Sequence, residues 1–506
     1  MQTHFKTLFL LFCLILPALL FGLGERPVYK IQEVRIAETA REMLESGDWV
    51  VPRFNGELRL QKPPLPYWVT AASYSVAGVD ATATRLPAVL AALFLVCLIW
   101  RWSGRELGAE TAANSAIVLI VSFLGLRYFR SGEADALLLL FISAACKLGF
   151  DIIRGQRDQF RRVLFGLLLG LGFLSKGPAG LLIPLLTLLG MAFAEGRGSG
   201  GGKNFAALFS ISGVAAMLLA AFGWYLWIFW SMPDAAESFF GRQIDETFIS
   251  GNHAKPLWWY LANLPQFFAP WSILILPAGW MAYQARRETP PLLCFAWIWL
   301  AVVFVLLTVT INKQTQYALL FAPPLAIILG HYLAAAAGGF LKLNRALFIL
   351  LCLAGIVGLG FMLYRFGVSS LWWLALPALP LLLARLLAVR SPSWPILLAA
   401  GLVTMAFLFG ETTLSKEPRK VAAETLMPEA AGKSPLLQSE ARPGRGEFSF
   451  YARKVVPPVD AEELPKLLEA HSEIWLVGEN VPVPEYASAT VVKQVGELQL
   501  VRLSTK

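Results

Sequence analysis

The sequence predicts an all-α polytopic membrane protein that carries a small α/β domain at its C-terminal end. Three observations lead there. Of the 506 residues, 57% are hydrophobic and only 15% are charged, against about 25% charged in a soluble globular domain. The apolar residues gather in long runs, whereas residues 447–506 break into short alternating stretches. The cationic side chains cluster between alternate runs rather than at random. This composition excludes a cytosolic enzyme, a disordered chain and a disulfide scaffold. Cys13, Cys97, Cys146, Cys294 and Cys352 all sit inside apolar runs, with neither metal-ligand spacing nor a disulfide framework.

A helix that crosses the hydrocarbon core needs about 20 apolar residues. Thirteen runs approach that length: 8–23, 86–102, 111–126, 136–153, 163–174, 177–194, 205–230, 267–283, 292–311, 317–337, 346–364, 371–387 and 395–410. The fifth is short. The first follows Lys6 and lacks a small-residue cleavage pattern before Glu25, so it reads as a retained helix rather than a signal peptide.

Charge orients the bundle. The net charge is +9, and cytoplasmic loops of membrane proteins are rich in Lys and Arg, so the excess does not call for nucleic acid. Arg101 and Arg105, the arginines of 154–162, Arg197 and Lys203, Arg286 and Arg287, Lys342 and Arg345, and Arg390 occupy every second loop. These loops are cytoplasmic if the N-terminus is inside. Thirteen spans then leave loops 24–85, 127–135, 175–176, 231–266 and 312–316 and the C-terminal region on the periplasmic side. A membrane domain of 1–412 and a polar linker of 413–446 precede the α/β domain of 447–506. There 447–451, 474–477, 490–494 and 498–503 read as strands and 461–471 as a helix.

Loop 24–85 holds most of the chemically useful side chains. Residues 33–45 fit an amphipathic helix lying flat on the bilayer. Ala37, Ala40 and Leu44 share a face with Glu33, and Glu38, Glu42 and Glu45 point the other way with Arg35. Glu33 is thus an acid on the apolar side: a carboxylate favoured by the helix dipole, a general base, or a metal ligand. Asn55–Gly56 marks a tight turn, and Lys62–Pro63–Pro64 leads into a second interfacial helix, 64–77.

The run AETAREMLESGDW, followed by Pro52, Asn55–Gly56 and KPPLPYW, resembles the bacterial membrane glycosyltransferases of the GT-C type. Its nearest relatives are the protein O-mannosyltransferase-like group and the 4-amino-4-deoxy-L-arabinose lipid A transferases. The resemblance covers residues 33–324 and is densest over 33–85. It implies a thirteen-helix layout with a periplasmic α/β tail. It also implies an undecaprenyl-phosphate-linked sugar as donor and a lipid, glycan or protein acceptor on the periplasmic face of the inner membrane.

The resemblance also carries over to individual residues. Such enzymes start the first-loop helix with an acidic motif, commonly Asp-Glu-x-Arg-Tyr. Here that stretch is Gln32–Glu33–Val34–Arg35–Ile36. Gln32 cannot act as a base, so the role moves to Glu33, with Arg35 beside it for phosphate. Asp135, leading the fourth span, matches the second acid; its bland alternative is a helix cap. Lys62 matches the lysine that faces the donor phosphate. Lys176 in LSKGP and Lys313 with Tyr317 match further phosphate positions, although Lys176 can equally be a snorkelling cation. In the loop 231–266, Arg242 and His253 are candidate substrate contacts. No cofactor is firmly implied, and a divalent metal is left open. Two rivals are a catalytically degenerate scaffold, favoured by Gln32, and a lipid-linked sugar transporter, for which no internal repeat speaks.

Overall fold

The computed structural model describes residues 15–196, 201–234, 254–286, 288–335, 404, 418–430, 432–439, 446–479, 481 and 483–505. The expected spans 346–364, 371–387 and 395–410, apart from Thr404, lie outside the described residues, as do residues 8–14 of the first. The chain divides into two compact units. One joins Gly22–Leu60, Pro66–Pro87 and Glu411–Lys506; the other joins Met1–Phe21, Gln61–Leu65 and Ala88–Gly410.

The first unit opens with helix α1 (Ile31–Ser46), which Gly47 ends in a left-handed conformation while donating its N–H to Met43 O. Strands β1 (Arg53–Phe54) and β2 (Glu57–Leu58) form a hairpin. Both of its turn residues, Asn55 (φ 54°) and Gly56 (φ 80°), are left-handed, as a two-residue turn between twisted strands requires. Helix α2 (Leu65–Ala77) follows, so both stretches expected to be helical in this loop are helices. Val34, Ala37, Ala40 and Met43 of α1 pack with Tyr67, Ala71 and Tyr74 of α2. Glu38, expected on the solvent face, is buried instead.

The second unit is the apolar bundle. Helix α3 (Ala81–Leu107) leads into it, followed by α4 (Ala109–Ile120), α5 (Phe123–Tyr128), α6 (Asp135–Ile153), α7 (Gln159–Lys176), α8 (Ala179–Glu195), α9 (Gly201–Ala206) and α10 (Ile211–Ser231). Helices α11 (Trp259–Phe267), α12 (Ile275–Gln284), α13 (Pro291–Val309) and α14 (Ala322–Ala335) complete it. Among the described residues, five helices are long and apolar enough to cross a membrane, so this is a multi-pass membrane protein. Trp102, Phe150, Phe295 and Trp299 meet edge-on or tilted in its core, with ring centroids 5.4–6.1 Å apart.

Two expected single helices are broken. The run 111–126 splits at Val121–Ser122, where Ser122 Oγ accepts from Gly125 N and starts α5. The run 267–283 bends by 114° between α11 and a 3-10 turn, Trp271–Leu274, that leads into α12. Pro265 and Pro270 flank that bend and remove backbone donors. Hydropathy registers neither break, because the residues stay apolar through both.

The C-terminal part of the first unit contains α15 (Pro418–Leu426), β3 (Leu436–Gln438), α16 (Glu447–Ala452), α17 (Leu464–Ala470), β4 (Glu473–Glu479), β5 (Ala487–Val495) and β6 (Leu498–Thr505). The strands lie in the order β3-β4-β6-β5, with only β3–β4 parallel. Part of the expected linker is therefore folded. Ala422, Ala423 and Leu426 of α15 supply an apolar stripe to one side of the sheet, beneath Trp475 and Leu500. Residues 447–451 form a helix rather than the expected strand. Two residues apart on a helix is about 200° around its axis, so the alternation suits both. Phe448 enters the core of the sheet, and Phe450 enters the core around α1.

Helices α7 and α10 touch backbone to backbone. A Cβ on Gly166 would lie 1.9 Å from Gly213 O, the close approach that small residues permit between membrane helices. Gly166→Ala should cost about 1–3 kcal/mol of stability and lower the thermal midpoint in detergent. Gly223→Ala, on α10 where a Cβ meets nothing within 4 Å, should leave the midpoint in place.

Candidate active site

Each of the two units holds a cluster of buried polar side chains. In the apolar bundle, the cluster sits where α6 begins and α7 ends. Asp135 is the first residue of α6 and is 5% exposed. Both its oxygens lie 2.6 Å from Lys176 Nζ, on the last residue of α7. Among the described hydrogen bonds Asp135 accepts only from Lys176, so it does not cap its helix. The ammonium lies 5.3 Å over the Tyr317 ring, where the π-face adds a second attraction for the cation. Tyr317 reaches this place on a 3-10 turn, Thr315–Phe321, that precedes α14.

Further charge surrounds this pair. Glu133 accepts from Ser131 Oγ at 3.0 Å and contributes negative charge felt by Lys176. Arg130, 2% exposed, donates to Phe21 O. Glu133 was not singled out from the sequence, although it lies in the loop that held Asp135. Lys62 is exposed on the short stretch Gln61–Leu65. Lys313 stands apart from the Asp135 cluster in role. It donates to Thr308 O at 2.8 Å and to Thr310 O, satisfying carbonyls at the end of α13. It also lies 6.0 Å from the centroid of the Tyr260 ring. Arg242 and His253 lie outside the described residues.

In the first unit, Glu33 is 1% exposed and meets a guanidinium that the sequence reading did not select. Arg85 Nε donates to Glu33 Oε1 at 2.8 Å and Arg85 Nη2 to Oε2 at 3.1 Å. Such a two-pronged pair fixes orientation as well as charge. Arg26 adds a contact at 3.5 Å. The remaining donors of Arg85 reach the carbonyls of Leu23, Arg26 and Pro27. Arg35, two residues beyond Glu33, is half-buried and belongs to a different face of α1. The signal that could have found Arg85 was a cation four residues into a long helix that stays apolar from Leu86 to Trp100.

Deeper in the same helix, Arg41 bridges Glu38 and Glu45. Burial pushes the Glu38 carboxyl up to about 8 from its ordinary 4.5, against the pull of Arg41. Among the described residues, no group of three His, Cys, Asp or Glu side chains is placed to hold a metal ion.

Two outcomes follow. Lys176→Met leaves the Asp135 carboxylate buried without its cation, and should lower stability by about 3 kcal/mol. Asp135→Asn combined with Lys176→Met should cost less than the sum of the two, read by denaturation of all four proteins. Glu38 keeps its proton in the folded chain up to about pH 8, whereas the unfolded chain loses it near 4.5. Between those values the folded state binds more protons, so stability falls as pH rises. Glu38→Gln should flatten that decline in thermal midpoints measured from pH 5 to 8.

A family model described as dolichyl-phosphate-mannose-protein mannosyltransferase matches residues 61–227. The undecaprenyl phosphate-alpha-4-amino-4-deoxy-L-arabinose arabinosyl transferase of Edwardsiella ictaluri is 30% identical over 360 residues, which is 68% of this chain and 63% of that protein. The chain thus spans somewhat less than two thirds of that relative's length. The crystal structure of ArnT from Cupriavidus metallidurans bound to undecaprenyl phosphate superposes with a TM-score of 0.81 at 22% identity, covering 98% of this chain and 97% of that one. The oligosaccharyltransferase of Archaeoglobus fulgidus is more distant, with a TM-score of 0.54 at 11% identity over 94% of this chain and 69% of that one. At these identities the structural likeness speaks for the fold. In sequence the chain is similar to ArnT-like glycosyltransferases of the GT-C type.

Proposed function

We propose that the protein transfers a sugar from a polyprenyl-phosphate donor, of the undecaprenyl type, to an acceptor on a lipid, glycan or protein at the periplasmic face of the bacterial inner membrane. One observation carries the reading. Asp135, Lys176 and Tyr317 converge at the polar ends of apolar helices, in a fold shared with a protein crystallised with undecaprenyl phosphate. The proposed layout has thirteen spans within 1–412, a cytoplasmic N-terminus and a periplasmic α/β domain. The alternation of basic loops supports that orientation.

Transfer breaks the bond from the anomeric carbon to the donor phosphate oxygen and forms one to the acceptor oxygen. Where the acceptor is a hydroxyl, its proton passes to a carboxylate, and polyprenyl phosphate leaves. The departing phosphate gathers negative charge and needs fixed cations. The sugar passes through an oxocarbenium-like state that a nearby carboxylate stabilises. Lys176 is held by Asp135 in the structure. An arriving phosphate competes for its three donors and releases an Asp135 oxygen to act on the acceptor proton or the cationic sugar. Lys62, Arg35, Lys313 and Tyr317 are the further candidates for phosphate. Glu33 is the second candidate acid, held in place by Arg85.

Proteoliposomes given an undecaprenyl-phosphate-linked labelled sugar and cell-envelope glycolipid should release free undecaprenyl phosphate and label the acceptor. Asp135→Asn, Glu33→Gln and Lys62→Ala should each cut the rate by about a hundredfold or more, the scale of a lost acid–base or charge-stabilising group. Full rates in both acid variants would reject these residues. Donor binding without release of undecaprenyl phosphate would point to a scaffold.

A further inference from the structure

The same unit that holds Glu33 also holds the C-terminal sheet, and one side chain links the two. Tyr451, in α16, packs against the apolar core of the sheet and also against the core around α1. Its hydroxyl oxygen accepts from the backbone N–H of Val28 at 2.7 Å, across 423 residues of sequence. Val28 directly follows the strap Leu23–Pro27, whose carbonyls hold Arg85. Arg85 in turn grips both oxygens of Glu33. Tyr451 also lies in the electrostatic field of Arg85 and Glu33.

We propose that Tyr451 is a positioning residue: the α/β domain latches the strap through the Val28 amide, and the strap sets where Arg85 holds Glu33. The logic is geometric. Arg85 takes its orientation from three carbonyls on an irregular segment with no helix or sheet of its own to fix it. A buried amide anchored at the end of that segment limits how far the carbonyls can drift. The C-terminal domain thereby does more than cover the loop; it sets the aim of the carboxylate.

Tyr451→Phe removes the acceptor and keeps the ring in both cores. Two measurements test it on the full-length protein in detergent or liposomes. In amide hydrogen exchange, the variant should open residues 23–28 faster than wild type while the middle of α1 stays protected. Unchanged exchange there overturns the proposal. So does the same selective opening in Trp475→Leu, which loosens the sheet core without touching the strap. The turnover measurement rests on the glycosyl-transfer reading. Tyr451→Phe should lower kcat by up to about tenfold, the worth of one hydrogen bond, with KM for the undecaprenyl-phosphate-linked sugar unchanged. In an Arg85→Lys background it should add little. A wild-type protein without turnover rejects the glycosyl-transfer reading, and exchange alone then decides the latch. Turnover in wild type with an equal kcat in Tyr451→Phe rejects the latch.

Discussion

A charge removed from water must meet its counter-charge, and the polar parts of this protein are organised around that requirement. In a chain with so few ionisable groups, each buried pair fixes where two distant segments lie. Glu33 and Arg85 are 52 residues apart and Asp135 and Lys176 are 41 apart. The first pair closes the loop between its opening strap and the start of α3. The second ties the beginning of α6 to the end of α7. Neither pair can be lost on one side alone without stranding the other charge.

The same requirement separates the scaffold from the chemistry. Within the bundle, packing is by rings, as around Trp102 and Phe295, and by glycine contacts, as between Gly166 and Gly213. Charged side chains gather at helix ends, where carboxylate, ammonium and aromatic ring can meet at the edge of the apolar region. Phosphate chemistry at a lipid-linked donor needs this division: an apolar groove for the tail and fixed charge for the head. On the proposed function, a carboxylate already held by a lysine is oriented before substrate arrives, which lowers the reorganisation that transfer would otherwise require.

Most of the helices were legible in the sequence because hydrophobic runs of about 20 residues have few alternatives. The two helices of the first loop and the Asn55–Gly56 turn were legible for equally local reasons. The misses share one cause. Helix breaks at Ser122 and Pro270 occur within unbroken apolar composition, where hydropathy carries no signal. The helix over 447–452 mimics a strand because both geometries send alternate residues to opposite sides. Glu38 belongs to the polar face of an isolated amphipathic helix, and it becomes buried because further elements cover that face in the folded unit. The candidate site was half legible. Asp135 and Lys176 stood out as rare polar groups at helix ends, Tyr317 entered through the family resemblance, and Arg85 was marked only as a cation near the start of a long apolar helix, with nothing local to name its partner.

By itself, then, the sequence determined the membrane class, the positions of most apolar helices among the described residues, the two helices of the first loop and the short roster of side chains available for chemistry. The class and the helices follow from composition and periodicity, which act over a few turns of chain, and the roster follows from the family resemblance. The tertiary structure decided which acids meet which cations, because pairing depends on distances between segments dozens to hundreds of residues apart. It joined Asp135 to Lys176, gave Glu33 its arginine, turned Lys313 back toward the end of the preceding helix, and brought Tyr451 to the amide of Val28.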